Sequence, residues 1–168
     1  MATFILYLRL GIRHILDLHS VDHMLFIFVL FAIYLFRDWR RALILLAFYA
    51  AGNLISLILY LYKLVTPDLE VIHYLVPLTI FFAAISNIFR GKVSTITRNP
   101  TRFILAGIFG IIHGFGSAGY LESIMGMNRS ILVPLLAFNL GLDTAFLIVC
   151  LIYLTISWIF VNNLGVSR

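Results

Sequence analysis

Nine polar residues of this sequence stand in or beside long apolar stretches, where a lipid-facing helix would exclude them. Ionisable groups at membrane depth are costly unless they are paired, hydrated or bound to metal. Imidazoles and carboxylates without a thiolate suit a divalent first-row ion such as nickel, cobalt or zinc. The strongest candidate ligands are His14, Asp22, His23, His113 and Asp143, and the additional candidates are Asn53, Asn139, His19 and Asp17.

The spacing of these residues predicts that they share one depth. His23, Asn53 and His113 lie 14, 12 and 11 positions from the arginine that bounds each segment. At 1.5 Å per helical residue, they come out roughly 16 to 21 Å from that boundary. Asn139 and Asp143 are four positions apart, so they share a helix face and fall near the same level. We therefore predict a layer of polar side chains near the membrane midplane.

Each candidate also has a structural interpretation. The two asparagines could simply form hydrogen bonds between helices, as polar residues in membrane bundles often do. Asp17 and His19 could be solvated if the chain is still near the headgroups there. The two deep carboxylates could form ion pairs with Arg9 or Arg13 instead of binding a metal.

The composition predicts the kind of element that must position these side chains. Hydrophobic residues make up 62% of the 168 and charged residues only 11%, with a mean hydropathy of +1.07. Such a chain needs lipid around it. The apolar stretches lack the period-two alternation of a membrane β-barrel. We predict an all-α, polytopic transmembrane helix bundle that forms a single domain over residues 1–168.

Five apolar stretches are candidates for membrane segments, at about residues 4–36, 41–62, 71–89, 102–121 and 130–161. A helix needs about 20 residues to cross the hydrocarbon core. The first stretch is too long for one span and carries a polar cluster, and the last contains Pro134 and Gly141, where a helix could bend or break. The count is five if both long stretches cross once, and six or seven if either splits.

The basic residues predict the orientation of the bundle. Lys and Arg concentrate at residues 37–41 and 90–102, whereas the loops at 63–70 and 122–129 are nearly balanced in charge. The positive-inside rule places the first pair of loops in the cytoplasm, for a multi-pass protein of the cell inner membrane. The net charge of +5 is thus a topology signal and does not indicate nucleic-acid binding. Cys150 is the single cysteine, which excludes a disulfide or a CxxC site within the chain.

Three motifs resemble the HupE/UreJ family of membrane proteins linked to hydrogenase and urease maturation. The opening motif is similar to the family pattern G-x-x-H-I, a short gap, then D-H-x-L-F, which is supplied here by Gly11, His14, Ile15, Asp22, His23, Leu25 and Phe26. A second resembles the family's His-Gly-x-Gly element and reads HGFGSAGYL at 113–121. A third resembles Phe-x-x-Gly-x-Glu and reads FNLGLD at 138–143, with Asp143 in place of Glu.

The resemblance implies a nickel or cobalt permease. It implies metal ligation by the matching positions, which are His14, Asp22, His23, His113 and Asp143. Two positions depart from the family pattern. The second helix usually reads Gly-His-Ser/Thr, and this chain has AGNLIS, so that Asn53 replaces a ligand; Ala137 stands where a carboxylate often precedes Phe. These departures imply weaker binding, another metal or a changed role.

The function predicted is that of a membrane divalent metal transporter, or a metal-binding membrane protein, with a midplane His/Asp site. The ion would enter from the outer side through residues 14–19 and meet Asp22 or His23 first. The expected partners are the lipid bilayer, the metal ion and, because five spans are few for a pathway, further copies of the chain. Two alternatives stay open: a membrane-embedded metal-dependent enzyme, for which the sequence offers no HExxH motif, and a structural or accessory subunit without transport.

Overall fold

The structure is a computed structural model that describes residues 1–17, 21–89, 101–126 and 130–164. These residues form helices and no strands, so the predicted all-α class is confirmed. His19 and the basic residues at 90–100 lie outside the described residues. The six α-helices are α1 (Ala2–Leu16), α2 (Val21–Phe31), α3 (Trp39–Leu61), α4 (Leu69–Ile88), α5 (Thr101–Met125) and α6 (Leu132–Leu164).

Four of the described helices, α3 to α6, are long and apolar enough to cross a membrane. The predicted count of five to seven membrane segments is not confirmed. The first apolar stretch is divided into α1 and α2, which have 15 and 11 residues and are individually too short to span. The last stretch forms one continuous helix through Gly141. Pro134 does not break it, because it lies in the first turn, where a missing backbone N–H costs little.

Glycines hold α3 tightly against α5. A Cβ at Gly52 would overlap the carbonyl oxygen of Gly107, and a Cβ at Gly110 would overlap that of Tyr49. A Cβ at Gly114 would meet the backbone of Asn53 at 2.7 Å. Small residues allow membrane helices to approach this closely and gain van der Waals contact. The pairing brings the centre of α5 beside the centre of α3.

A second glycine contact joins α1 to α6. A Cβ at Gly11 would overlap the carbonyl oxygen of Phe138, and a Cβ at Gly141 would overlap that of Leu8. The His14 ring also lies 5.8 Å from the Phe138 ring. Because residues later in α1 meet residues earlier in α6, the two helices run antiparallel.

The helix α2 covers only about half of the bundle. It begins beside His113, at the centre of α5, and ends where Phe31 packs against Tyr153 of α6. Near that end, Asn87 of α4 donates a hydrogen bond to the carbonyl oxygen of Val29. Eleven helical residues rise about 16 Å, roughly half of a 30 Å hydrocarbon core. The start of α2 therefore lies about halfway along the bundle.

Polar contacts define the two ends of the bundle. At one end, which we call the Glu122 end, Lys63 after α3 donates a hydrogen bond to Glu122 of α5. The Glu122 carboxylate raises the pKa of Lys63 through this bond. At the other end, the Arg102 end, Arg102 donates to the side chain of Asn87, 3.4 Å away. The start of α5 and the end of α2 thus lie at the Arg102 end.

The surface of the bundle is apolar along its helices. On α6 four leucines spaced along the helix are each 43 to 51% exposed: Leu136, Leu140, Leu147 and Leu151. Leu142 and Phe146 on its other face are fully buried. Exposed leucine stripes of this length are what a bilayer covers. The structure therefore fits a membrane protein.

Candidate metal site

Three imidazoles from three helices stand in a row near the middle of the bundle. The rings of His14 on α1 and His23 on α2 have centroids 5.2 Å apart, and those of His23 and His113 on α5 are 5.4 Å apart. His23 is 6% exposed and His113 is fully buried. The break between α1 and α2 makes this possible, since it places both motif histidines at one level. We call these three residues the histidine row.

The carboxylate of Asp22 orients the central ring of the row. Its Oδ1 lies 3.3 Å from Nδ1 of His23. A carboxylate that is ionised can only accept, so Nδ1 carries the proton, and in the neutral ring the lone pair is then on Nε2. In the part of the chain that the structure describes, no protein group forms a hydrogen bond with this buried Nε2. His23 thus offers a free lone pair inside the bundle.

The third ring is held from α4. Nε2 of His113 lies 2.9 Å from the hydroxyl oxygen of Thr79, which itself lies 2.6 Å from the carbonyl oxygen of Val76. Nδ1 of His113 is buried and has no hydrogen-bond partner among the described residues. His113 therefore has one nitrogen tied to α4 and one that is not paired.

Aromatic rings enclose the row on both sides. Tyr120 stacks on His14 with centroids 4.5 Å apart, and Phe26 lies 4.5 Å from His113. The ring of Tyr49, fully buried on α3, lies 5.8 Å from His113. Its hydroxyl is a further buried polar atom without a partner in the described residues. These rings limit the movement of the imidazoles and leave polar atoms facing a confined space.

A cavity of about 570 Å³ opens on two members of the row, His14 and His23. It lies beyond the start of α2, in the half of the bundle that this short helix leaves empty, and it runs between α1, α4 and α5. Its polar lining consists of His14, Asp22, His23, His73 and Tyr120, and its other walls include Gly116 and Gly119. The side chain of Asp22 is 45% exposed there. The cavity gives the row a connection toward the Glu122 end.

Asp143 is hydrogen-bonded within its own helix, α6. Its Oδ2 accepts a hydrogen bond of 2.9 Å from Asn139, one turn earlier on α6. Its Oδ1 and the Oδ1 of Asn139 are buried without a partner in the described residues. The predicted face shared by Asn139 and Asp143 is thus observed, and among the described residues no hydrogen bond or ion pair joins Asp143 to the imidazoles.

The remaining predicted residues fall into three groups. Asn53 is fully buried, and neither its amide nitrogen nor its oxygen has a hydrogen-bond partner within the described chain. Asp17 is exposed at the end of α1. His19 lies outside the described residues.

The structure also shows which ion pairs the deep carboxylates form and whether the predicted ligands meet. In the described residues, Asp22 contacts His23 through the hydrogen bond given above, and neither Asp22 nor Asp143 forms an ion pair with Arg9 or Arg13. Convergence of all five predicted ligands is not observed. Across residues 1–17, 21–89, 101–126 and 130–164, no three His, Cys, Asp or Glu side chains lie close enough to hold one ion.

Three residues around the row were not predicted from the sequence as part of the site. Thr79 contacts His113, the ring of Tyr49 lies 5.8 Å from that of His113, and His73 lines the cavity. Threonine and tyrosine are common in membrane helices, so neither type stood out. His73 lies at a helix end, where a histidine is unremarkable.

Comparison with known proteins adds one finding. A family model described as HupE / UreJ protein matches residues 1–167, nearly the whole chain. No curated protein and no solved structure gives a significant match. The family match covers every residue of the histidine row and of the cavity.

Proposed function

This chain belongs to the HupE/UreJ family, and we propose that it binds a divalent transition-metal ion, nickel or cobalt by family resemblance, and passes it across the membrane. The ion is the transported substrate. The histidine row supplies the binding groups, and Asp22 supplies a charge beside them. Asp143, with Asn139, would serve at a later point of the path or hold α6 in place.

One observation carries the proposal. Nε2 of His23 and Nδ1 of His113 are both buried ring nitrogens without a hydrogen-bond partner in the described chain. An unsatisfied buried polar atom costs about 1–3 kcal/mol, so two in adjacent rings favour a ligand that pairs with them. A divalent first-row ion does so through imidazole nitrogen.

The cavity supports access from the Glu122 end. It reaches His14, Asp22 and His23 on one side and His73 on the other. At Gly116 an added Cβ would meet nothing closer than a methyl of Ile72 at 3.7 Å, so this glycine leaves space instead of making a close helix contact. An ion entering here would meet Asp22 and His23 first, as the order of residues in the sequence predicts.

The orientation in the membrane is part of the proposal. The Arg102 end joins the basic segments at 37–41 and 90–102, so we place it in the cytoplasm of a cell inner membrane. The Glu122 end with the cavity then faces outward. Four candidate spans are few for a complete pathway, and we expect the chain to work as a homo-oligomer.

Metal binding by the purified protein tests the proposal. Calorimetry with nickel, cobalt and zinc, together with elemental analysis, should show one bound ion per chain. Both His23→Ala and His113→Ala should weaken binding by more than about 10-fold, because loss of a supporting group alone typically costs 10- to 100-fold.

His73→Ala is the matched control. This histidine lines the same cavity but makes no ring contact with the row in the described residues. Its affinity should stay within about threefold of the parent protein. Absence of binding by the parent protein, or equal loss in all three variants, would contradict the proposal.

One observation favours a second candidate, a structural or accessory subunit. Three ligating side chains do not meet at one point in the described residues, and Asn53 and Ala137 depart from the family pattern. In this alternative the row only joins helices. Uptake of the ion into vesicles that contain the protein distinguishes transport from binding alone.

A further inference from the structure

The hydroxyl of Thr79 contacts two groups, a carbonyl oxygen, which can only accept a hydrogen bond, and an imidazole nitrogen, which can donate or accept one. It lies 2.6 Å from the carbonyl oxygen of Val76 and 2.9 Å from Nε2 of His113. Thr79 is 4% exposed and His113 is fully buried, so neither group can exchange these partners readily for bulk water. A hydroxyl has one proton to donate, and only one of the two contacts can receive it.

The chemistry of the two partners decides the direction of both bonds. The carbonyl oxygen of Val76 can only accept. If Thr79 donated its proton to His113 instead, two oxygen acceptors would face each other at 2.6 Å with no proton between them. Thr79 therefore donates to Val76 and accepts the Nε2–H of His113. The tautomer of His113 follows, with its lone pair on Nδ1.

The bond to Val76 alone is ordinary. Thr144 and Thr155 on α6 donate to carbonyl oxygens one turn earlier in the same way, and both are bonds on exposed parts of the helix. Such back-bonding is a common way for threonine to satisfy its hydroxyl in a helix. What distinguishes Thr79 is that its oxygen also receives the proton of a buried imidazole.

The two inner rings of the row are then held by opposite nitrogens. Asp22 holds His23 by Nδ1, and Thr79 holds His113 by Nε2. The atoms left with lone pairs are Nε2 of His23 and Nδ1 of His113, both buried and unpaired in the described residues. Metal-binding histidines commonly have their other nitrogen fixed in this manner, which sets the tautomer and the ring orientation.

We propose that Thr79 is a positioning residue that fixes the Nε2–H tautomer of His113, so that this ring binds its ligand through Nδ1. That the ligand is a metal ion rests on the proposed function. The tautomer itself follows from the hydrogen bonds and holds in the metal-free protein. Thr79 stands on α4, outside all three sequence motifs, so α4 takes part in shaping the site.

The nitrogen NMR shifts of histidine-labelled, metal-free protein test this inference directly. The His113 signals are identified by their loss in His113→Gln. The parent protein and Thr79→Ser should show the proton on Nε2, because serine keeps the hydroxyl. Thr79→Val should show a mixture of tautomers. Nickel affinity should fall about 10- to 100-fold in Thr79→Val and recover in Thr79→Ser.

Thr155→Val is the matched control, since it removes a back-bonded threonine that forms no hydrogen bond with a histidine among the described residues. It should change neither the tautomer nor the affinity. The inference is overturned if Thr79→Val keeps the proton on Nε2, or if Thr79→Ser loses it to the same extent. If the parent protein binds no nickel, cobalt or zinc, the proposed function fails, while the NMR shifts still report whether Thr79 sets the tautomer.

Discussion

At the scale of single residues, the buried side chain of Tyr49 combines a closely packed ring with a hydroxyl that has no partner among the described residues. Its ring is fully enclosed by Phe26, His113 and Phe146. Its hydroxyl forms no hydrogen bond with any described residue. An unpaired buried hydroxyl lowers stability unless it serves a ligand, because it loses water without gaining a partner. The effect of removing the Tyr49 hydroxyl therefore indicates whether this group only lowers stability or serves a ligand.

We predict that Tyr49→Phe leaves the metal-free protein as stable as the parent, or more stable by about 1 kcal/mol, because it removes a polar group that has no partner. Thermal unfolding in detergent measures this. Tyr34→Phe is the control, since the buried Tyr34 hydroxyl does interact with Arg102, and its removal should destabilise. Destabilisation by Tyr49→Phe of more than about 1 kcal/mol would show that the hydroxyl is already paired.

The sequence indicated the residues of the row because ionisable side chains are conspicuous in apolar segments. His14, His23 and His113 do stand together. The sequence did not indicate Thr79, because a threonine in an apolar helix usually satisfies itself on its own backbone. It also predicted that Asp143 lies in the same layer, from its depth along the helix. In the structure Asp143 accepts a hydrogen bond from Asn139 on its own helix, a contact that depth alone does not predict.

At the scale of the elements, the helices could be predicted from the lengths of the apolar stretches. Length alone did not decide whether the first stretch is interrupted. A segment of that size could tilt, bend or divide. The structure divides it, and α2 then covers only half of the bundle. The structure separates the glycines of α5 into two kinds, since Gly110 contacts α3 whereas Gly116 faces the cavity.

This separation gives a prediction for paired variants of one helix. Gly110→Ala should destabilise by about 1–3 kcal/mol, because the new methyl overlaps the Tyr49 carbonyl and the two helices must move apart. Gly116→Ala should be neutral or slightly stabilising, because its nearest neighbour is 3.7 Å away. Thermal unfolding of both variants in the same detergent compares them. Equal destabilisation would mean that Gly116 also packs tightly.

At the scale of the whole molecule, the short α2 makes the two ends of the bundle different. Toward the Arg102 end, α2 fills the space among the long helices with Phe26, Ile27 and Phe31, all fully buried. Toward the Glu122 end, the same space is the cavity. The cavity at the Glu122 end is lined by two histidines of the row, whereas a second cavity of about 450 Å³, beside Arg102 and Asn87, is lined by none of them.

We therefore predict one-sided access to the row. In a Cys150→Ala background, a membrane-impermeant maleimide should label Gly116→Cys only from the side that labels Thr66→Cys, in the exposed loop after α3. Phe36→Cys, exposed at the other end, should be labelled from the opposite side. Sealed vesicles of both orientations provide the measurement.

Labelling of Gly116→Cys from the Phe36 side would reverse the assigned access. Protection from both sides would show that the cavity is closed in the membrane, because a thiol at that position has open space around it and would otherwise react.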